Sequence, residues 1–145
     1  MTGLRQALEA AGAPQEAHWV AAGDYHFESG VAATRHLLEV APECTAFFAA
    51  NDLMAVGALS ELTRTGRRVP EEISVVGYDD ALPSLIVTPR LTTVRQPVDD
   101  MVAFTIDRLL RRIRSDGAVP AERHVLPVEL VVRESTGGLV SVPST

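Results

Sequence analysis

Thr45-Ala46-Phe47-Phe48-Ala49-Ala50-Asn51-Asp52 and, one helix later, Ile73-Ser74-Val75-Val76-Gly77-Tyr78-Asp79-Asp80 decide the fold. Each begins as a short apolar run bounded by turn residues, the pattern of a strand buried in a parallel sheet. β-Branched residues dominate the second run, as a pleated, buried surface favours. Between them Asn51-Asp52 offers a helix N-cap, the stripe Leu53, Val56, Leu59 and Leu62 predicts a helix to about Thr65, and Gly66 stands where a helix stop belongs. Strand, helix and strand in this order imply a right-handed crossover in an α/β sheet flanked by helices.

Outward from this unit the alternation continues. Leu4, Ala7, Leu8 and Ala11 predict a helix over Gly3 to Ala11, ended by Gly12 and Pro14. His18 to Ala22 reads as a strand, Gly23 to His26 as a loop, and Glu28 to Val40 as a helix stopped by Pro42. Beyond Asp80, the two prolines of Ala81 to Arg90 give an irregular loop, and Leu91 to Val94 a short strand. Val102, Ile106, Leu109, Leu110 and Ile113 share one face of a helix over Val98 to Arg114. A Gly117-Ala118-Val119-Pro120 loop then leads to strands at His124 to Leu126 and Val128 to Val132, and the tail from Ser135 reads as mobile.

Ligands of such sheets bind beyond the carboxyl ends of the strands. That rule selects the loops Gly23 to His26, Ala50 to Asp52 and Gly77 to Asp80, all with polar side chains.

Composition narrows the function. The chain has 145 residues, a net charge of −6 and thirteen Lys plus Arg, all of them arginine. Phosphate contacts need clustered cations, whereas the densest group (Arg108, Arg111, Arg112, Arg114) lies on a helix that also carries acids, so a solvated face is the plainer reading. One cysteine, Cys44, permits neither a disulfide framework nor a cysteine metal cluster. The four histidines lack metal-ligand spacing, and Ser29 and Ser74 lack a nucleophile elbow. We therefore expect no metal, no cofactor and no catalytic residues. No apolar run is long enough to span a bilayer and no secretory leader is visible, so the expected compartment is the cytoplasm.

Five blocks in order carry a family resemblance. They are Gly23-Asp24-Tyr25 through Gly30, Ala49 through Leu59, Val69-Pro70-Glu71-Glu72-Ile73-Ser74-Val75-Val76-Gly77-Tyr78-Asp79-Asp80, Pro89 through Pro97, and Leu126 through Thr136. Together they resemble the LacI/GalR family of transcription regulators. The resemblance implies a Rossmann-like lobe of a periplasmic-binding-protein-like sensor. Two such lobes close on a small effector, and a helix-turn-helix head that binds operator DNA precedes them. This chain corresponds to the C-terminal lobe, incomplete at its N-terminus. Residues 1–96 map to that lobe, 97–125 to a crossover helix and strand of the N-terminal lobe, 126–136 to a return strand, and 137–145 to a flexible tail. The expectation is a fragment lacking the head and most of the other lobe. Alone, it would expose a sheet edge and an apolar helix face, self-associate, and bind effector weakly or not at all.

The resemblance also implies site residues. Asp79 would accept hydrogen bonds from a sugar hydroxyl or a nucleobase, although an aspartate after a strand also forms turns. Asn51 would offer donor and acceptor, or only shape the helix start, while Asp52 reads better as the N-cap than as a ligand contact. Tyr25 would stack on a ring or simply face solvent. Phe48 would line the pocket or pack in the core, and Gln96 would be a contact or hinge at a crossover. A homodimer face maps to Ala55, Val56, Leu59, Ser84, Leu85 and Val87. A transport solute-binding protein shares the fold and is the alternative. A stand-alone enzyme would need a glycine-rich phosphate loop or a catalytic set that the sequence lacks.

Overall fold

The computed structural model describes residues 2–13, 16–115, 120 and 122–138. Its helices are α1 (Thr2–Ala10), α2 (Phe27–Val40), α3 (Asp52–Arg64), α4 (Leu82–Ile86) and α5 (Val98–Arg114). Its strands are β1 (Ala46–Phe48), β2 (Ser74–Asp79), β3 (Thr92–Arg95) and β4 (Glu129–Val131). The sheet order is β1-β2-β3-β4. β1, β2 and β3 run parallel, with Phe47 opposite Val75 and Val76 opposite Thr92. β4 returns antiparallel on β3, with Val94 opposite Leu130.

One side of the sheet is sealed by α3. Phe47, Ile73, Val75 and Leu91 meet Ala55, Ala58, Leu59 and Leu62 in a single buried cluster. α2 lies on α3 at very close range, because glycines face one another there. A Cβ on Gly30 would lie 2.7 Å from Met54 Cα, and one on Gly57 would lie 2.9 Å from Val31 N. α3 ends as the sequence predicts. Gly66 takes φ +75°, its N–H donates to Thr63 O, and Arg67 N–H donates to Leu62 O, closing a Schellman turn.

The buried stripe of α3 differs from the one expected. Leu53 is 43% exposed and Val56 half-buried, whereas Asp52, Met54, Ala55, Gly57, Ala58 and Glu61 are buried with Leu59 and Leu62. The helix packs against both the sheet and α2, so small residues face the tight contacts. Glu61, 1% exposed, is closed over by Arg35 from α2 (3.0 Å) and Arg64 (2.6 Å). Hydrogen bonds from Arg64 and then Arg35 hold its carboxyl at a pKa of about 2.

Four other expectations need correction. Residues 18–22 form no strand; a 3-10 turn at Ala17–Trp19 leads into extended chain. Extended residues make a strand only beside a hydrogen-bonding neighbour, and none stands beside them among the described residues. The loop 81–90 contains helix α4, with Pro83 in its first turn, where proline is tolerated. Residues 124–126 pair with no strand, and the last ladder is confined to Glu129–Val131. The expected mobile tail is anchored at its start. Ser135 is fully buried, its Oγ donating to Val75 O (2.6 Å) and accepting from Thr92 N (2.8 Å). Gly137 N–H follows, donating to Ser74 Oγ (3.2 Å). Residues 117–119 of the predicted loop, and 139–145, lie outside the described residues.

α5 has the predicted bounds but no buried residue. Val102, Ile106, Leu109, Leu110 and Ile113 are all at least 43% exposed.

Candidate functional site

The loops singled out by strand topology meet at the carboxyl end of the sheet. Asn51 follows β1 and is the true N-cap of α3, with φ −154° and its Oδ1 accepting from Met54 N at 2.9 Å. Its Nδ2 donates to the Tyr25 carbonyl oxygen at 2.9 Å. Asn51 therefore shapes the helix start and ties down the Tyr25 loop, keeping one N–H and one lone pair for other partners. Tyr25 itself has φ +69° and presents a side chain to solvent, the residue being 63% exposed. Around it the loop is folded by its own polar groups: Asp24 Oδ1 accepts from His26 N at 3.1 Å, and Ser29 Oγ donates to His26 O at 2.9 Å.

Asp52, expected as the N-cap, is instead the first residue of α3 and is 1% exposed. Its Oδ2 accepts from Ala81 N (2.7 Å) and its Oδ1 from Thr93 Oγ1 (2.6 Å). Burial raises its carboxyl above the ordinary pKa, against the two hydrogen bonds that favour the charged form.

At the end of β2, Asp79 has φ +120° and Asp80 φ +58°. Non-glycine residues take such angles only when their surroundings enforce them, and these positions gather at functional sites. Asp79 Oδ1 accepts from Gln96 Nε2 at 2.7 Å, so the structure brings these two predicted residues together. Asp80 is bound by Arg133 and by Arg95, whose Nε lies 2.6 Å away. Burial pushes the Asp80 carboxyl up, but the hydrogen bonds from Arg133 and Arg95 outweigh it and leave the group below its ordinary value. Phe48, at the end of β1, is 51% exposed and stands outside the core that holds Phe47.

Arg95, Arg133 and the inward-facing role of Asp52 escaped sequence reasoning. Each arginine lies inside one of the blocks that carry the family resemblance, but its pairing with Asp80 spans 15 and 53 residues and leaves no local signal. The expected dimer face is largely corrected by burial. Ala55 and Ser84 are fully buried and Leu59 is 2% exposed, because all three pack within this chain. Val56 and Val87 are half-buried, and Leu85, at 51%, is exposed beside Leu82 and Ile86 on α4.

Among the described residues no group of three or more His, Cys, Asp or Glu is placed to hold a metal ion. No described helix is long and apolar enough to cross a membrane.

Comparison with known proteins agrees with this fold. A family model described as periplasmic binding protein-like domain matches residues 1–136. The HTH-type transcriptional regulator CelR of Thermobifida fusca is 44% identical over 93% of this chain. The HTH-type transcriptional repressor PurR of Edwardsiella ictaluri is 38% identical over 79%. A solved structure of a transcriptional regulator CelR–cellobiose complex superposes at a TM-score of 0.88, with 45% identity over 92% of this chain. The chain spans only 39% and 34% of the two relatives, and 40% of the solved chain. The chain belongs to the periplasmic binding protein-like domain family, and its match to the LacI-type transcription regulators covers their C-terminal region.

Proposed function

We propose that this chain is the effector-sensing portion of a LacI-type regulator, and that its effector is a small carbohydrate of the cellobiose class. The observation that carries the reading is the convergence of Asn51, Asp79 and Gln96 with an exposed Tyr25 at the sheet's carboxyl end. Two of these four residues have positive φ. A carboxylate and two amides match the hydroxyls of a sugar, and a tyrosine ring matches its apolar face. Phe48 extends that apolar wall. CelR, with its cellobiose complex, supports a sugar over the purine that the name PurR suggests, because its identity to this chain is higher.

In this reading residues 1–96 and 126–136 form one lobe, and 97–125 belong to the facing lobe. The absence of any buried residue in α5 supports that division. Leu82, Leu85 and Ile86 on α4, with Val56 and Val87, form the self-complementary dimer patch. Operator DNA is bound by a helix-turn-helix head outside these residues, in the cytoplasm. The protein does no chemistry of its own; effector and operator act as coupled ligands. Transport solute binding uses the same fold, but the named relatives are regulators.

The test is an amide NMR titration of the chain with cellobiose and, separately, with guanine. One lobe supplies half a cleft, so affinity of about millimolar is expected for cellobiose. Shifts should be confined to the amides around Tyr25, Asn51, Asp79 and Gln96. Shifts centred elsewhere, or produced by guanine alone, would refute the sugar-sensing assignment.

A further inference from the structure

Among the described residues, Asp52 is the most deeply buried carboxylate at this end of the sheet. It is 1% exposed, yet it is not spent on capping its helix, because Asn51 does that. Both of its oxygens are occupied by donors from other segments, Ala81 N–H and Thr93 Oγ1. Two further features make room for it. A Cβ on Gly77 would overlap Asp52 Oδ1, so the glycine in β2 leaves the space that the carboxylate fills. Asp52 also sits in the first turn of α3, where the helix dipole favours an anion.

The two bonds bracket the turn that presents Asp79. Ala81 lies just past the positive-φ pair Asp79 and Asp80, and Thr93 lies on β3, directly beside Gly77 in the ladder. Thr93 Oγ1 also accepts from Asp80 N at 3.4 Å, a weaker link into the same turn. Positive φ at a non-glycine residue is strained and persists only where neighbours over-determine it. The Asp52 carboxylate ties the far side of this turn to α3 and to Thr93 of β3, alongside the ion pairs of Asp80 with Arg95 and Arg133.

We propose that Asp52 is a positioning residue for the effector site. Its buried carboxylate fixes the Asp79–Asp80 turn through Ala81 and Thr93, and so sets effector affinity through Asp79 without touching effector. The proposal rests on the reading of Asp79 as an effector contact.

Amide NMR of the chain with three variants tests it. Asp52→Ala removes both acceptors. Asp52→Asn keeps the shape; its oxygen accepts from Ala81 and its NH2 donates to Thr93 Oγ1, which serves as acceptor instead. Thr93→Val removes one bond with little change of volume. Without any ligand, Asp52→Ala should move the Ala81 amide upfield and shift Asp79 and Asp80 out of the left-handed region. Asp52→Asn should leave all three near their wild-type positions. With cellobiose as the probe, Asp52→Ala should weaken binding about tenfold and Asp52→Asn by less than about threefold.

A role confined to stability predicts a different pattern. Asp52→Ala would lower the melting temperature while leaving the backbone at Asp79–Ala81, and the cellobiose affinity of the folded protein, unchanged. That result overturns the proposal. Should Asp52→Ala not fold, Thr93→Val decides the same question, since a wild-type turn conformation in it would count equally against the tether. Wild-type chain that ignores cellobiose would sink the effector assignment alone, because the turn conformation is read without ligand.

Discussion

Replacing Gly57 with alanine adds one methyl group in the interior of α3, and helix propensity alone predicts a gain of about 1 kcal/mol. The packing predicts the reverse. An added Cβ would overlap the Phe27 carbonyl oxygen and come within 2.9 Å of Val31 N and 3.2 Å of Gly30 C. All three are backbone atoms of α2, so no rotamer change relieves the contact, and the helices must part by several tenths of an ångström. Overpacking of this kind costs roughly 1–3 kcal/mol, and rigid backbone on three sides puts Gly57 at the upper end. After subtracting the propensity gain, a net loss of about 2 kcal/mol remains. For a chain of this size that is a fall of about 4–8 °C in melting temperature. Circular dichroism melts of wild type and Gly57→Ala measure it. Gly3→Ala on α1, where a Cβ meets nothing within 4 Å, is the control and should not destabilise. A melting temperature for Gly57→Ala equal to or above wild type would refute the inference that α2 and α3 touch through backbone.

Three further outcomes follow from particular side chains. Folding lowers the Glu61 pKa to about 2. Its stabilisation is thus complete above the unfolded value of about 4.3 and is lost as pH falls from there toward 2; melts of Glu61→Gln should approach wild type over that window. Ser135→Ala strips the partner from Thr92 N–H and Val75 C=O inside the sheet. It should cost about 1–3 kcal/mol by urea denaturation. Finally, α5 exposes Ile106 and Leu109 at 50% each. Sedimentation should detect concentration-dependent association of the chain, and Ile106→Gln with Leu109→Gln should reduce it; unchanged association would place the contact on another face.

The sequence was most legible where structure is local. The bounds of α2, α3 and α5 follow from caps, glycine and proline, and the Schellman turn at Gly66 needs only residues within one turn. Which face a helix buries is a different matter. Periodicity gives most weight to large apolar residues and so predicts Leu53 and Val56 as core, while the contact with α2 requires Met54, Gly57 and the ion-paired Glu61. The extended residues after Trp19 and the anchored Ser135 fail for the same reason. Whether extended chain becomes a strand, or a serine-rich segment becomes fixed, depends on partners far away in sequence, here Val75 and Thr92 for Ser135. At the site, the positions of Asn51, Asp79 and Gln96 were legible as motif residues. Their division of labour was not, because it is set by side chains from β3 and the segment after β4.

That division bears on what the site can bind. Asp79 and Asp80 are adjacent and chemically identical, yet their surroundings assign them opposite duties. Asp80, with a side chain 10% exposed, is neutralised by Arg95 and Arg133, so its charge serves to fasten β3 and the segment after β4 to the turn. Asp79 has a neutral partner, Gln96, on one oxygen only. Its other oxygen has no hydrogen-bond donor among the described residues. An uncompensated carboxylate is a strong acceptor for hydroxyl or N–H donors and a poor neighbour for another anion. With Asp79 as the proposed effector contact, neutral, donor-rich ligands are expected to be favoured there and carboxylated or phosphorylated ones disfavoured. A sugar acid or sugar phosphate should bind more weakly than the parent sugar, and Asp79→Asn should narrow that gap by removing the repulsion.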